Sequence, residues 1–292
     1  MKKTEIFDFD DEKFKAPPAN TLPWCQMINP QFSLDGIKPY GLAIKLNQAQ
    51  AAGFKPDENW QQIEHEFSNG NVATLFISSR PRLVIVRRGP ICIKDRETGD
   101  NLGRLMDHYG VFKAARLKFK TFTRYLIFFV GYDKKFLHSI PLRLTLSGAA
   151  GVSFAIAYRH SKMGEATSGF TVDLEKAYAE YRNQPCVTKG PLFHAHGIFC
   201  PIFEAVKKVI GSNTVWICET TGYERPSFKN VTNYLIPSNS DESFLLEKIF
   251  EEYKDFCQEI PKAELVNFDN KQGISNDYNY HDEYDYQNEP PY

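Results

Sequence analysis

The sequence predicts an α+β fold: a mainly antiparallel, strongly twisted sheet or partly open barrel of the oligonucleotide-binding (OB) kind, with C-terminal helices packed on it. Three observations carry this expectation. Between residues 72 and 146 the chain holds short runs rich in Val, Ile, Phe, Tyr and Thr, separated by Gly, Pro or Asp clusters, which is the pattern of strands and turns. Near the C-terminus, Leu245, Ile249, Tyr253, Phe256 and Ile260 recur at spacings of three and four, the period of a helix packed on one side. With 292 residues, 42% of them hydrophobic and 24% charged, the chain is long enough to bury a core without disulfides or metals.

In chain order, residues 1–21 read as a flexible arm ending beyond Pro17 and Pro18, and residues 22–147 as a β-rich domain. Tyr40 to Leu46 is a short strand, Asn47 to Ala52 a helical turn before Gly53, and Asn59 to Phe67 a short helix carrying Trp60 and Ile63. After the turn signal Asn69-Gly70-Asn71 come strands at 72–78, 82–87, 91–94, 117–122, 125–132 and 142–146. Arg88-Gly89-Pro90 should separate two of these, and Asp95 to Asp100 should be a hairpin loop. Residues 148–262 read as an α+β part packed on the sheet. Its elements are a helix at 173–182, a helix at 201–210 with Pro201 in its first turn and Gly211 as its stop, and a strand at 215–220. A last helix runs from the N-cap Ser240 to about Ile260, with Asp241 and Glu242 favourably placed in its first turn. Residues 263–292 read as a disordered tail, because its last 21 residues, of Gly, Asn, Asp, Gln and Tyr with Ile274 as the one aliphatic residue, cannot offset their ordering entropy.

Charge is unevenly distributed behind a total of −1. Residues 272–292 hold five acids and no Lys or Arg, whereas residues 80–135 hold 14 basic and five acidic residues, a net of +9. A locally basic body with an acidic tail points to nucleic acid or an acidic partner surface. The first fifteen residues carry acids where a secretory signal would be apolar, and no run approaches the ~18 apolar residues of a membrane span. The expected compartment is the cytoplasm, which also suits six scattered cysteines with no CxxC pair.

The basic stretch is the main functional candidate. Arg80 and Arg82 precede a strand, Arg87 and Arg88 end it, and Lys113, Arg116, Lys118, Lys120 and Arg124 follow with aromatics between them. Strand alternation from 116 to 124 would place Arg116, Lys118, Lys120, Phe122 and Arg124 on one face, able to track a phosphate backbone while Phe122 or Tyr125 stacks on a base. The plainer explanation is an edge strand kept soluble by its cations. The loop with Tyr223, Arg225 and Phe228 offers a second stacking tip, or is a structural turn. His194, His196 and Cys200 form an H-x-H-x3-C cluster that could hold zinc, but no fourth ligand lies at zinc-finger spacing. His108 and His138 stand alone, as surface or capping groups. No P-loop, GxSxG or HExxH motif is present, and nothing calls for a cofactor. Gly148-Ala149-Ala150-Gly151 could admit a phosphate, but small residues at such a turn more often serve packing.

Pro23 to Pro30 (PWCQMINP), Gly41-Leu42-Ala43-Ile44, Trp60, Pro81 to Ile85, Pro141 to Thr145 and Thr220 to Phe228 (TTGYERPSF) together resemble a family of uncharacterised cyanobacterial proteins, some of them plasmid-borne. The resemblance spans roughly 22–240 and implies no activity and no site residues; a plasmid setting would favour DNA metabolism. The ending from Asp282 to Tyr292 is similar in style to the acidic, aromatic-terminated tails of single-stranded-DNA-binding proteins, although it closes Pro-Pro-Tyr where those usually close Pro-Phe.

The resulting expectation is non-catalytic binding of single-stranded nucleic acid. The tail would regulate access or recruit basic partner proteins, and no membrane is involved. The alternatives are a scaffold protein without nucleic-acid affinity, or a small metal site at His194, His196 and Cys200.

Overall fold

A computed structural model describes residues 22–33, 36–67, 70–162, 165–210 and 213–257; the expected arm, the tail and Gly211 lie outside them. The chain begins with strands β1 (Trp24–Ile28), β2 (Phe32–Ser33), β3 (Gly36–Ile37) and β4 (Gly41–Lys45), then helix α1 (Leu46–Ala52). Strands β5 (Gln61–Glu66), β6 (Val72–Ser78), β7 (Leu83–Asp95) and β8 (Asn101–Arg104) lead to helix α2 (Tyr109–Ala114). Next come β9 (Phe119–Phe129), β10 (Leu142–Ser147), α3 (Gly148–Tyr158), β11 (His160–Lys162), β12 (Glu165–Ser168), α4 (Phe170–Tyr181) and α5 (Pro191–Ala195). The described part ends with β13 (Ile198–Phe199), β14 (Pro201–Ile210), β15 (Asn213–Tyr223) and α6 (Asp241–Glu252).

Nine strands form one open sheet in the order β13-β7-β9-β10-β1-β4-β6-β5, with β8 paired to β7. Its pairings are antiparallel except β1 with β10. This is the expected α+β class, and among the described residues no pairing closes the sheet into a barrel. The two parts read from the sequence share one core running from Cys25 to Phe250, and β13 from the second part pairs with β7 of the first. Helix α3 packs on one sheet face through Phe154, whose ring meets Tyr125 at 5.2 Å and Phe199 at 5.4 Å. Each such buried ring contributes roughly 1.5–3 kcal/mol. None of the described helices is long and apolar enough to cross a membrane.

Several elements differ from expectation for identifiable reasons. Residues 61–66 are a strand, not a helix: Gln61, Gln62, Glu64 and Glu66 are exposed around the half-buried Ile63 and buried His65, as on a charged edge strand. Arg88-Gly89-Pro90 does not end β7; the chain absorbs these residues as bulges in its register with β9, where a missing proline N–H is tolerated. The segment expected as a helix at 201–210 is β14, paired antiparallel along its length with β15, with one register shift between Ile202 and Phe203. Pro201 stands first in that strand, where proline is as acceptable as in a first helical turn, and Val206 and Val209 suit a strand better. Residues 116–118 form a single 3₁₀ turn, so β9 starts at Phe119 and runs on through the expected gap at 123–124. His138 is not a surface group but is 3% exposed, held between Phe129 and Ile140. The Ser240 N-cap holds: its Oγ accepts from the Ser243 amide at 3.2 Å, and the helix stops at Glu252.

Candidate nucleic-acid interface

Directly opposed residues in neighbouring strands point to the same side of a sheet, so the register of β8, β7, β9, β10 and β1 defines one face. Its rows read Asn101–Lys94–Lys120, then Arg104–Cys92–Phe122–Ser147, then Arg124–Thr145, then Arg87–Leu126–Arg143–Trp24. The other side of these strands carries Ile93, Tyr125, Ile127, Leu142, Leu144 and Leu146, all buried towards the core, while on the first side Cys92, Phe122 and Leu126 are buried between the polar residues. The polar face is built by alternation alone: in β10 the three leucines point inward while Arg143, Thr145 and Ser147 point outward, with Thr145 exposed. No acid occurs in β1, β8, β9 or β10, and the only one in β7 is Asp95.

Of the expected site residues, Arg87, Lys120, Phe122 and Arg124 lie on this face, with Arg87 turned to the Phe250 carbonyl of α6. The Arg124 guanidinium sits 5.0 Å over the Phe122 ring, which is 5% exposed and forms an apolar floor rather than a free stacking platform. Tyr125 is fully buried on the opposite side against Phe154, so it cannot stack on a ligand. Arg116 and Lys118 are exposed on the 3₁₀ turn, off the strand, with the Lys118 Nζ 3.6 Å from Asp95. Lys113 is exposed on α2, and Arg80 is exposed ahead of β7, its amide donating to Ser78 Oγ.

Three other arginines have structural partners. Arg82 is buried, donates to the Asn233 carbonyl at 3.3 Å and lies over the Tyr132 ring at 4.9 Å. Arg87 donates through Nε to the Phe250 carbonyl at 2.9 Å and stacks on that residue's ring, anchoring the last turn of α6. Arg88 faces the core side: burial raises the Tyr125 and Tyr158 hydroxyl pKa values, and the Arg88 charge acts against that rise. Tyr223 and Arg225 also belong elsewhere. The Tyr223 hydroxyl donates to Asp173 at 2.8 Å and its ring packs on Phe199, on the α3 side of the sheet. Arg225 is exposed and 4.0 Å from the same carboxylate.

Lys94, Arg104, Arg143 and Trp24 complete the face and were missed from the sequence. Trp24 is half-buried at its end, with the Lys45 ammonium 5.5 Å from its ring and 4.5 Å from that of Phe67. The legible signal is the alternation of Arg143, Thr145 and Ser147 with leucines; the segment of Trp24, Leu22 to Pro30, reads from its residues as a ligand groove or, more simply, as an apolar stretch packed on the sheet.

The family match covers residues 19–268 and is to the family described as "Domain of unknown function (DUF5895)". The chain belongs to the DUF5895 family. The match takes in every strand of the basic face and the whole of α6, while the acidic residues 272–292 lie beyond it. No curated protein and no solved structure matches the chain.

In this DUF5895 domain the residues of the H-x-H-x3-C cluster have other partners. His194 Nε2 lies 2.6 Å from Glu175 Oε1, and both side chains are buried. His196 is held through Nε2 by Ser243 Oγ at 2.9 Å and through Nδ1 by the Leu192 carbonyl, while the Cys200 thiol donates to the Ile198 carbonyl. Among the described residues no three His, Cys, Asp or Glu side chains come together to hold a metal ion. The small residues at 148–151 serve packing: a Cβ on Gly151 would meet the Leu146 backbone at 3.1 Å.

Proposed function

We propose that this protein binds single-stranded nucleic acid without catalysis, along the face made by β8, β7, β9, β10 and β1. The observation that carries the reading is the row arrangement itself: Lys94, Arg104, Lys120, Arg124 and Arg143 share one sheet face with Trp24 and with no carboxylate from the same strands. Cations spaced by strand and row geometry suit a phosphate backbone, and an aromatic at the end of the track suits a base. The plainer explanation, an edge strand kept soluble by lysine and arginine, does not fit β9, which lies between β7 and β10 in the sheet interior. The acidic residues 272–292 would compete for the same face or recruit a basic partner protein, and the cytoplasm is where the protein would work.

The test is fluorescence anisotropy with a labelled single-stranded oligonucleotide, alongside the duplex of the same sequence. Full-length protein is compared with a version ending at Asn276, at low and high salt. Single-strand binding that weakens with salt and strengthens on truncation is the expected result. Absence of binding by both versions at low salt overturns the proposal and leaves the scaffold reading.

A further inference from the structure

Lys94 and Lys120 are directly opposed in the β7–β9 ladder, a placement in which like charges repel and destabilise the pair. Arg96 joins them: its Nε donates to the Phe119 carbonyl at 2.9 Å, which fixes the guanidinium at the base of the same strand. Lys120 is half-buried, and its Cε lies 4.0 Å from the position a Cβ would take on Gly148, so the side chain crosses to the start of α3. Helix α3 has no acid in its first turn. Asp95, the one carboxylate of β7, is buried, accepts the amides of Glu97 and Thr98, and pairs with Lys118. Burial, then Lys94 and Arg96, lower the Lys120 ammonium pKa, and no carboxylate among the described residues acts in the opposite direction. The fold thus brings three cations together at the start of β9.

We propose that Lys94, Arg96 and Lys120 form a phosphate-binding subsite. This rests on the nucleic-acid reading for its natural occupant, a phosphodiester of a bound strand, but the same chemistry would accept a free phosphate anion. Two ammonium groups and one forked guanidinium match a tetrahedral oxyanion, and the bound anion would remove the repulsion between the lysines.

The experiment uses full-length protein, Lys120→Met and, as a control elsewhere on the face, Arg143→Gln. Melting temperatures are measured in sodium phosphate and in sodium chloride of equal ionic strength, and oligonucleotide binding is followed across a salt series. Without phosphate, Lys120→Met should melt about 2–4 °C higher than wild type, because it removes the repulsion. Phosphate should raise the melting temperature of wild type and Arg143→Gln but not of Lys120→Met. The salt slope of oligonucleotide binding should fall by about 0.7 in Lys120→Met, one phosphate contact on a single strand. Equal phosphate shifts in wild type and Lys120→Met, or a lower melting temperature for Lys120→Met without phosphate, overturn the subsite even if wild type binds the oligonucleotide. A Lys120-dependent phosphate shift without oligonucleotide binding keeps the subsite for a free anion and overturns the proposed function.

Discussion

The imidazole Nε2 of His138 accepts the backbone N–H of Phe129 at 2.8 Å. Its Nδ1 faces the Ile140 carbonyl at 2.7 Å, so the ring is neutral and protonated on Nδ1. The ring stacks on Phe128 and closes the loop after β9 onto the core.

This arrangement makes the protein acid-sensitive. Burial pushes the His138 pKa down to about 4 from its ordinary 6.5. Between these values the unfolded chain binds the proton and the folded chain does not, so stability falls as pH drops through that window. The loss from this residue alone is about 3 kcal/mol when complete. Chemical denaturation at pH 7 and pH 5 should show the decline, and His138→Phe should flatten part of it. The same variant should be less stable than wild type at pH 7 by about 1–3 kcal/mol, because the Phe129 amide loses its acceptor.

Glu175 and His194 form a second buried polar contact, and Glu175 also accepts the Lys189 amide at 3.0 Å. Glu175→Ala orphans both groups and should cost about 3 kcal/mol by urea denaturation, whereas Glu175→Gln should cost less. Since His194 and His196 are held by protein groups, a chelator should leave the melting temperature unchanged, and elemental analysis should find no stoichiometric zinc.

Arg87 separates a structural cation from the ligand-facing ones. Arg87→Ala removes the cap on α6 and its stacking on Phe250, and should destabilise the fold by about 2 kcal/mol. Arg87→Lys should recover little, because an ammonium cannot reproduce the planar fork. Oligonucleotide affinity, measured well below the melting temperature, should stay near wild type in both.

Trp24 and Arg143 sit side by side in the parallel pairing of β1 and β10. Oligonucleotide binding should quench Trp24 fluorescence. Trp24→Ala should weaken binding by roughly 1–3 kcal/mol, and Arg143→Gln should reduce its salt dependence.

How much of this was legible in the sequence depends on the interaction that decides each element. Local chemistry was readable: the Ser240 cap, the Asp95 to Asp100 hairpin, where the Asp95 carboxylate accepts two loop amides, and β6 to the residue. Elements decided by a distant partner were not. Pro201 to Ile210 satisfies helix-start rules until β15 is known to lie beside it, and bulges that keep β7 in register with β9 are invisible from Arg88-Gly89-Pro90 alone. The site shows the same division. The parity that puts Lys120, Phe122 and Arg124 together is a property of one strand, whereas recruiting Lys94, Arg104, Arg143 and Trp24 requires the register of four others. Parity likewise does not say which face an aromatic closes, and Tyr125 falls on the core side.

Strand β1 is the seam of the sheet, with Trp24 and Cys25 on β10 and Gln26 to Ile28 on β4. Its partner residues Arg143 and Leu144 are synthesised more than a hundred positions later. A nascent chain can zip β4, β5 and β6 early, but one edge of β1 stays open until β10 leaves the ribosome. Contacts this far apart in sequence slow folding and leave an unpaired edge exposed meanwhile. The protein should therefore gain more soluble yield from slower synthesis, or from chaperones that shield strand edges, than its composition alone suggests.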